Sequence, residues 1–159
     1  MEELNLLQDK NEVPLILFGA RNIGEMTFHA AKNLGIKVEC YADDKIKGSL
    51  NGLNIYHTNK LKKRFPKAKF LICSANIQDM VDRLDQLGYE EWYSCGLVLN
   101  GFEANPGHCK NEVDYAQDYV DYLLNTCIKS HKSFADPNKL IIKCVDLIIT
   151  EKCSMACVD

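Results

Sequence analysis

No apolar run in the chain is long enough to cross a bilayer. The most apolar stretch, 140–150 (LIIKCVDLIIT), is short and is interrupted by Lys143 and Asp146, whereas a spanning helix needs about 20 largely apolar residues. The first residues, MEELNLLQDKNEV, are acidic and lack the apolar core of a signal peptide. There is no excess of positive charge: 19 Lys and Arg stand against 22 Asp and Glu, a net charge of −3. That argues against a dedicated nucleic-acid binder, which carries a basic surplus. Internal repeats and low-complexity tracts are also missing. The remaining balance, 47% hydrophobic and 26% charged over 159 residues, is that of a globular protein with one domain and a short appendage. Such a chain buries a core without disulfide support. These absences predict a cytoplasmic protein with neither a membrane nor a nucleic acid as partner.

Cysteine is the residue in surplus. Eight are present: Cys40, Cys73, Cys95, Cys109, Cys127, Cys144, Cys153 and Cys157. Without an export signal the compartment reads as reducing and the thiols as free. Cys40, Cys73, Cys95, Cys127 and Cys144 fall in apolar strands or on an apolar helix stripe, where cysteine acts as a small hydrophobe. His108 and Cys109 form a linker pair with no Cys-x-x-Cys partner. A zinc site from His108, Cys109, Cys153 and Cys157 would lack the tight local spacing such sites use.

Strand and helix patterns alternate through the first two thirds of the chain. Residues 13–18 (VPLILF) read as a strand buried on both faces. Ile23, Met26, Thr27, Ala30 and Leu34 recur at helical spacing, and Gly35 is placed to end that helix. A second strand is expected over 36–42, a Gly-rich loop over 45–53 and a short edge strand over 54–56. A short helix at 59–65, a strand at 69–74, a helix capped by Asn76 and a strand at 91–95 follow. Ile77, Met80, Val81, Leu84 and Leu87 form the apolar stripe of the later helix. This alternation predicts a three-layer α/β domain over 13–99 with a parallel sheet and helices on both faces. The first ten or so residues are expected outside the core. Residues 100–139 read as a linker and a helix, and 140–159 as an isolated strand followed by a cysteine-bearing loop.

The turn after the first strand, Gly19-Ala20-Arg21-Asn22-Ile23-Gly24, sits where a dinucleotide fold holds phosphates. The full fingerprint is G-x-G-x-x-G, with an acidic residue about 20 positions on to bind a ribose. Gly19 and Gly24 fill its first and third positions, and Asp43 and Asp44 end the second strand. Arg21 stands where the second glycine belongs. Its side chain either blocks a pyrophosphate or reaches outwards to pair with a phosphate or carboxylate, while the amides of Asn22, Ile23 and Gly24 offer donors. The alternative is that both glycines serve only the turn and helix packing, and that the two aspartates form a solvated strand end. A plain dehydrogenase is the weakest reading, because the fingerprint is incomplete and no substrate domain with an acid or base follows. His29 and His57 read as surface or packing residues.

The segment LILFGARNIGEMTFHAAKNLGIKVECYADDKIKGSLNGLNIYHTNKL resembles a bacterial Rossmann-like domain. That domain stands N-terminal in some sugar O-acetyltransferases and C-terminal in some sugar methyltransferases. The resemblance covers about residues 14–99. It implies a domain that binds a nucleotide, NAD(P) or sugar nucleotide at Gly19, Arg21, Asn22, Ile23, Gly24, Asp43 and Asp44, or that only packs against a catalytic partner.

Cys153 and Cys157 stand apart by context rather than spacing, since scattering eight cysteines at random gives about 0.4 pairs at this separation. They follow a strong hydrophobic strand in VDLIITEKCSMACVD. This tail resembles the start of a radical SAM domain, whose motif is Cys-x3-Cys-x2-Cys. The resemblance implies Cys153 and Cys157 as the first two ligands of a 4Fe-4S cluster that binds S-adenosylmethionine, with the third falling at position 160. Three thiolates leave one iron open, whereas complete protein ligation uses four. The expectation is a chain cut short inside that motif: an accessory domain, itself without catalytic residues, whose partner is a C-terminal catalytic domain. The apolar strand 140–150 would then be orphaned and would favour a homodimer through that strand.

Overall fold

The computed structural model describes residues 13–74 and 77–103, together with Leu4 and Leu7. Strand β1 (Leu15–Phe18) leads into helix α1 (Asn22–Asn33). Then come β2 (Cys40–Ala42), β3 (Gly48–Leu50) and β4 (Leu53–Tyr56). A 3₁₀ turn (Thr58–Lys60) runs into the short helix α2 (Leu61–Arg64). Strand β5 (Lys69–Ile72), helix α3 (Ile77–Gln86), strand β6 (Trp92–Ser94) and the single-turn helix α4 (Gly96–Leu99) complete the described chain.

The six strands form one sheet in the order β3-β4-β2-β1-β5-β6. All neighbours are parallel except β3, which runs antiparallel to β4 at one edge. The expected three-layer α/β class is therefore what the described residues form, with the expected parallel sheet extended by one antiparallel edge strand. β1 is central because its four residues are apolar and all buried, and β5 beside it is buried throughout. Burying each large aliphatic or aromatic side chain there contributes about 1.5–3 kcal/mol. The order steps left from β1 to β2 and β4, then returns to the right for β5 and β6. The switch point thus lies between β1 and β5, and ligands of such sheets bind outside the strand ends at that place.

Side chains alternate across the sheet. Leu17, Tyr41, Leu71 and Cys73 share the α1 face: Tyr41 packs on Phe28 of that helix, and a Cβ on Gly24 of the helix would meet Tyr41 Cε1 at 3.5 Å. On the other face Phe70 meets Tyr89 edge to face at 4.7 Å, and also Phe18. Helix α1 buries Ile23, Met26, Thr27 and Ala30, as its period predicts. Leu34 departs from that stripe and is exposed, because the helix ends at Asn33 and the chain turns away. Its last carbonyls are met by the amides of Gly35, which donates to Lys32 O, and Ile36, which donates to Ala31 O. In α3, Ile77, Val81 and Leu84 are buried, with Met80 and Leu87 at the margin.

Three expectations change in detail. The Gly-rich loop contains a β-hairpin: Asn51 (φ 51°) and Gly52 (φ 79°) make a tight turn that pairs Leu50 with Leu53. Two successive residues with positive φ match the twist of a hairpin, which is why Asn-Gly suits the position. As a result β4 is interior and β3 takes the edge. The second strand is also shorter than its apolar pattern: it starts at Cys40, with Glu39 N donating to Leu15 O just ahead of it. Finally, Leu7 is buried against the core with Leu4 beside it, so part of the N-terminal segment packs on the domain. The core also reaches past Leu99 to Phe102. Asn76, Cys109, Cys127, Cys144, Cys153, Cys157, His108, the expected helix after Asn111 and the strand 140–150 lie outside the described residues.

Candidate functional site

Two close backbone approaches shape the 19–24 turn. Gly19 has φ 115°, a conformation that L side chains rarely adopt, and a Cβ there would lie 2.6 Å from the carbonyl oxygen of Cys73. A Cβ on Gly24 would lie 2.0 Å from the carbonyl oxygen of Gly19. Gly19 thus lets β1 end against β5, and Gly24 lets α1 start directly over the turn. Both glycines carry the packing duties of the first and third fingerprint positions.

The donors at the switch point come from α1. Arg21 is its N-cap residue, and the Arg21 side chain makes no capping hydrogen bond. Helices leave their first amides without intrahelical partners, so the helix start at Ile23 and Gly24 suits an anion by position and by dipole. Arg21 itself is exposed. With Arg21 at the second fingerprint position, the turn presents a guanidinium in place of a bare backbone.

Asp43 closes the turn from the other side. One carboxylate oxygen accepts from Ala20 N at 3.0 Å; the other accepts from Lys45 N at 2.8 Å and Ile46 N at 2.9 Å. With Gly19 N donating to Ala42 O, Asp43 staples the end of β1 to the end of β2. The sequence brought this aspartate to the correct strand end, and the structure turns both its oxygens to backbone amides.

Asp44 points elsewhere. Its Oδ1 accepts from Thr58 Oγ1 at 2.6 Å and from Thr58 N at 3.0 Å, with His57 Nδ1 at 3.3 Å. Arg83 Nε lies 3.7 Å from Oδ2. Arg83 also donates to Thr58 Oγ1 and to Asn59, joining α3 to the 3₁₀ turn. Partial burial raises the Asp44 pKa, but the Thr58 hydrogen bonds and then the His57 and Arg83 charges outweigh it, so the carboxyl sits below its usual value. The 19–24 turn and Asp43 are therefore one assembly and Asp44 belongs to another. Sequence reading missed Thr58 and Arg83, which lie 14 and 39 positions beyond Asp44 and carry no motif. His57 caps the 3₁₀ turn, accepting from Asn59 N, in line with a packing role.

Cys40, Cys73 and Cys95 are buried and free. Burial pushes the Cys40 thiol up to about 12, with Glu39 adding to the effect. Burial likewise raises Cys73, helped by its contact with Cys95. Such thiols hold little thiolate at neutral pH. Among the described residues no group of three or more His, Cys, Asp or Glu is arranged to hold a metal ion, and no helix is long and apolar enough to cross a membrane.

No family model and no curated protein matches the chain. Among solved structures it is similar to the acetyltransferase domain of PglB from Neisseria gonorrhoeae FA1090 in complex with acetyl coenzyme A. The identity is 23% and the TM-score 0.40, and the match covers 47% of this chain and 38% of that one.

Proposed function

We propose that the described domain binds a phosphate-bearing nucleotide, in the first instance a sugar nucleotide, at the 19–24 turn. The observation that carries this reading is the α1 N-terminus: it begins at the switch point of the sheet, and an exposed Arg21 whose side chain makes no capping bond stands at its start. In this reading the amides of Ile23 and Gly24 orient the phosphate and Arg21 neutralises it. Asp43 holds the turn in shape through Ala20 N. Because Asp43 and Asp44 already accept hydrogen bonds within the fold, neither is assigned to a ribose. The bulk of Arg21 favours one phosphate contacted through its side chain over a pyrophosphate pressed against backbone.

The test is calorimetric titration of the chain with UDP-sugars, NAD and NADP. A charge-assisted hydrogen bond contributes about 1.5–3 kcal/mol, so Arg21→Ala should weaken the ligand that binds by about 10-fold or more. Absence of heat and of any thermal shift with all three ligand classes at millimolar concentration would leave the turn a packing element alone.

The second part of the proposal concerns the tail and rests on the sequence VDLIITEKCSMACVD. Here the domain serves as the accessory module of a radical SAM enzyme in which Cys153 and Cys157 bind a cluster. When bound, that cluster supplies the electron for reductive cleavage of S-adenosylmethionine. Reading the coding sequence past codon 159 tests it: a cysteine at 160 supports it, and any other residue or a stop codon there removes it. Anaerobic reconstitution of a chain carrying the third cysteine should give iron–sulfur absorbance that is lost in Cys153→Ala.

A further inference from the structure

Two buried thiols meet at the carboxyl edge of the sheet, beside the switch point. The register of β5 and β6 pairs Phe70 with Trp92, Leu71 with Tyr93 and Ile72 with Ser94. Cys73 and Cys95 are the next residue after each strand, so they stand side by side at the strand ends, Cys95 already with helical backbone (φ −58°, ψ −19°) as the N-cap residue of α4. The last rungs hold both in place: Cys95 N donates to Ile72 O at 3.2 Å and, on the other flank, Cys73 N donates to Phe18 O at 2.8 Å. Residues paired on adjacent parallel strands put their side chains on the same face, with the strands about 4.8 Å apart. The Cys73 thiol donates to Leu71 O at 3.4 Å, and the neighbouring Cys95 thiol adds to the upward shift that burial gives Cys73. That strand spacing falls inside the Cα separation of about 4.4–6.8 Å that a disulfide spans.

We propose that Cys73 and Cys95 are a redox-modifiable dithiol that a peroxide converts to a cross-strand disulfide joining β5 to β6. One thiolate attacks a peroxide oxygen, breaking the O–O bond and giving a sulfenic acid and water. The second thiol then displaces the sulfenic oxygen as water and forms the S–S bond. The sum is two thiols and one hydrogen peroxide giving one disulfide and two waters, with two electrons passing from sulfur to oxygen. A small oxidant suits the site, because Cys73 is 5% exposed and Cys95 is fully buried. Burial makes the reaction slow: the thiolate fraction is small at neutral pH, and the rate should climb by up to tenfold per pH unit below the thiol pKa. The disulfide would grip Cys73, whose carbonyl lies against Gly19, so oxidation would stiffen the 19–24 turn whether or not that turn binds a nucleotide.

The test uses the full chain, reduced under anaerobic conditions and then exposed to hydrogen peroxide at pH 7, 8 and 9. Free thiols are blocked with iodoacetamide in denaturant, the chain is cut with trypsin and with a glutamate-specific protease that cleaves at Glu103 between Cys95 and Cys109, and the peptides are mapped by mass. The expected product is a linked pair of peptides containing Cys73 and Cys95, lighter by two hydrogens, accumulating faster at higher pH and reversed by dithiothreitol. Cys73→Ala and Cys95→Ala should each abolish that product, and circular dichroism shows whether each variant is folded. Prolonged oxidation of the folded wild type that leaves both cysteines fully alkylated would overturn the proposal. So would a product pairing either one with a different cysteine in preference. This readout does not depend on nucleotide binding, so the two proposals fail separately.

Discussion

Replacing Gly24 with alanine sets helix propensity against packing, and the two have opposite signs. Alanine in a helix interior is favoured over glycine by about 1 kcal/mol. Here, however, the added Cβ would lie 2.0 Å from Gly19 O and 3.0 Å from Gly19 C, with Tyr41 Cε1 at 3.5 Å behind it. The first two contacts are backbone, which no rotamer change can relieve. Restoring ordinary contact requires α1 to retreat from β1 by about 1 Å in an interior that is close-packed. Overpacking of this sort costs about 1–3 kcal/mol and sometimes more, and a backbone collision belongs at the upper end. The net expectation for Gly24→Ala is a loss of about 2 kcal/mol, which at 2–4 °C per kcal/mol lowers the melting temperature by about 4–8 °C. Urea unfolding followed by circular dichroism, with the single tryptophan, Trp92, as a fluorescent probe, measures it. Lys32→Ala on the exposed side of the same helix is the control and should change stability by less than about 0.5 kcal/mol. A Gly24→Ala protein as stable as the wild type, or more so, would refute the close seating of α1 on the turn. With it would go the geometry on which the phosphate site depends.

Asp43→Ala removes the acceptor for three backbone amides and should destabilise the domain by about 2–3 kcal/mol by urea unfolding, with Asp43→Asn intermediate. For Asp44 the folded carboxyl is held below its reference value of 3.8, so its contribution is present above pH 4 and is lost as the pH falls through the lowered value. Asp44→Asn should therefore reduce the fall in stability between about pH 4 and pH 2, measured by melting at each pH. Cys40, with its thiol near 12 and its side chain buried, should resist iodoacetamide at pH 7.5 until the domain is unfolded, as read by peptide mapping.

Where local pattern and tertiary demand coincide, the fold was readable from sequence. β1 and β5 are short apolar runs, and α1 and α3 show clean helical stripes. The hairpin was hidden because GSLNGL has the composition of a loop; the Asn51-Gly52 pair was the available signal, and it outweighs the polarity around it. The burial of Leu7 escaped because a few leucines in an acidic, polar stretch carry no period. At the site, the glycine spacing correctly located the turn, yet the roles of Asp43 and Asp44 depend on where their carboxylates rotate. Backbone amides at 45 and 46 capture one, and Thr58 with Arg83 captures the other. Spacing along the chain carries no trace of those partners. The same holds for Cys73 and Cys95, which only the β5–β6 register brings together.

The most direct test of the phosphate site is an amide-resolved NMR titration of the chain with UDP-sugars, NADP and inorganic phosphate. The account predicts that the amides of Ile23 and Gly24 shift saturably with at least one nucleotide, that Arg21→Ala weakens the response about 10-fold, and that the amides of Thr58 and Asn59 stay still. Saturable shifts that leave Ile23 and Gly24 unmoved and cluster elsewhere, or none with any of the three ligands, would contradict it.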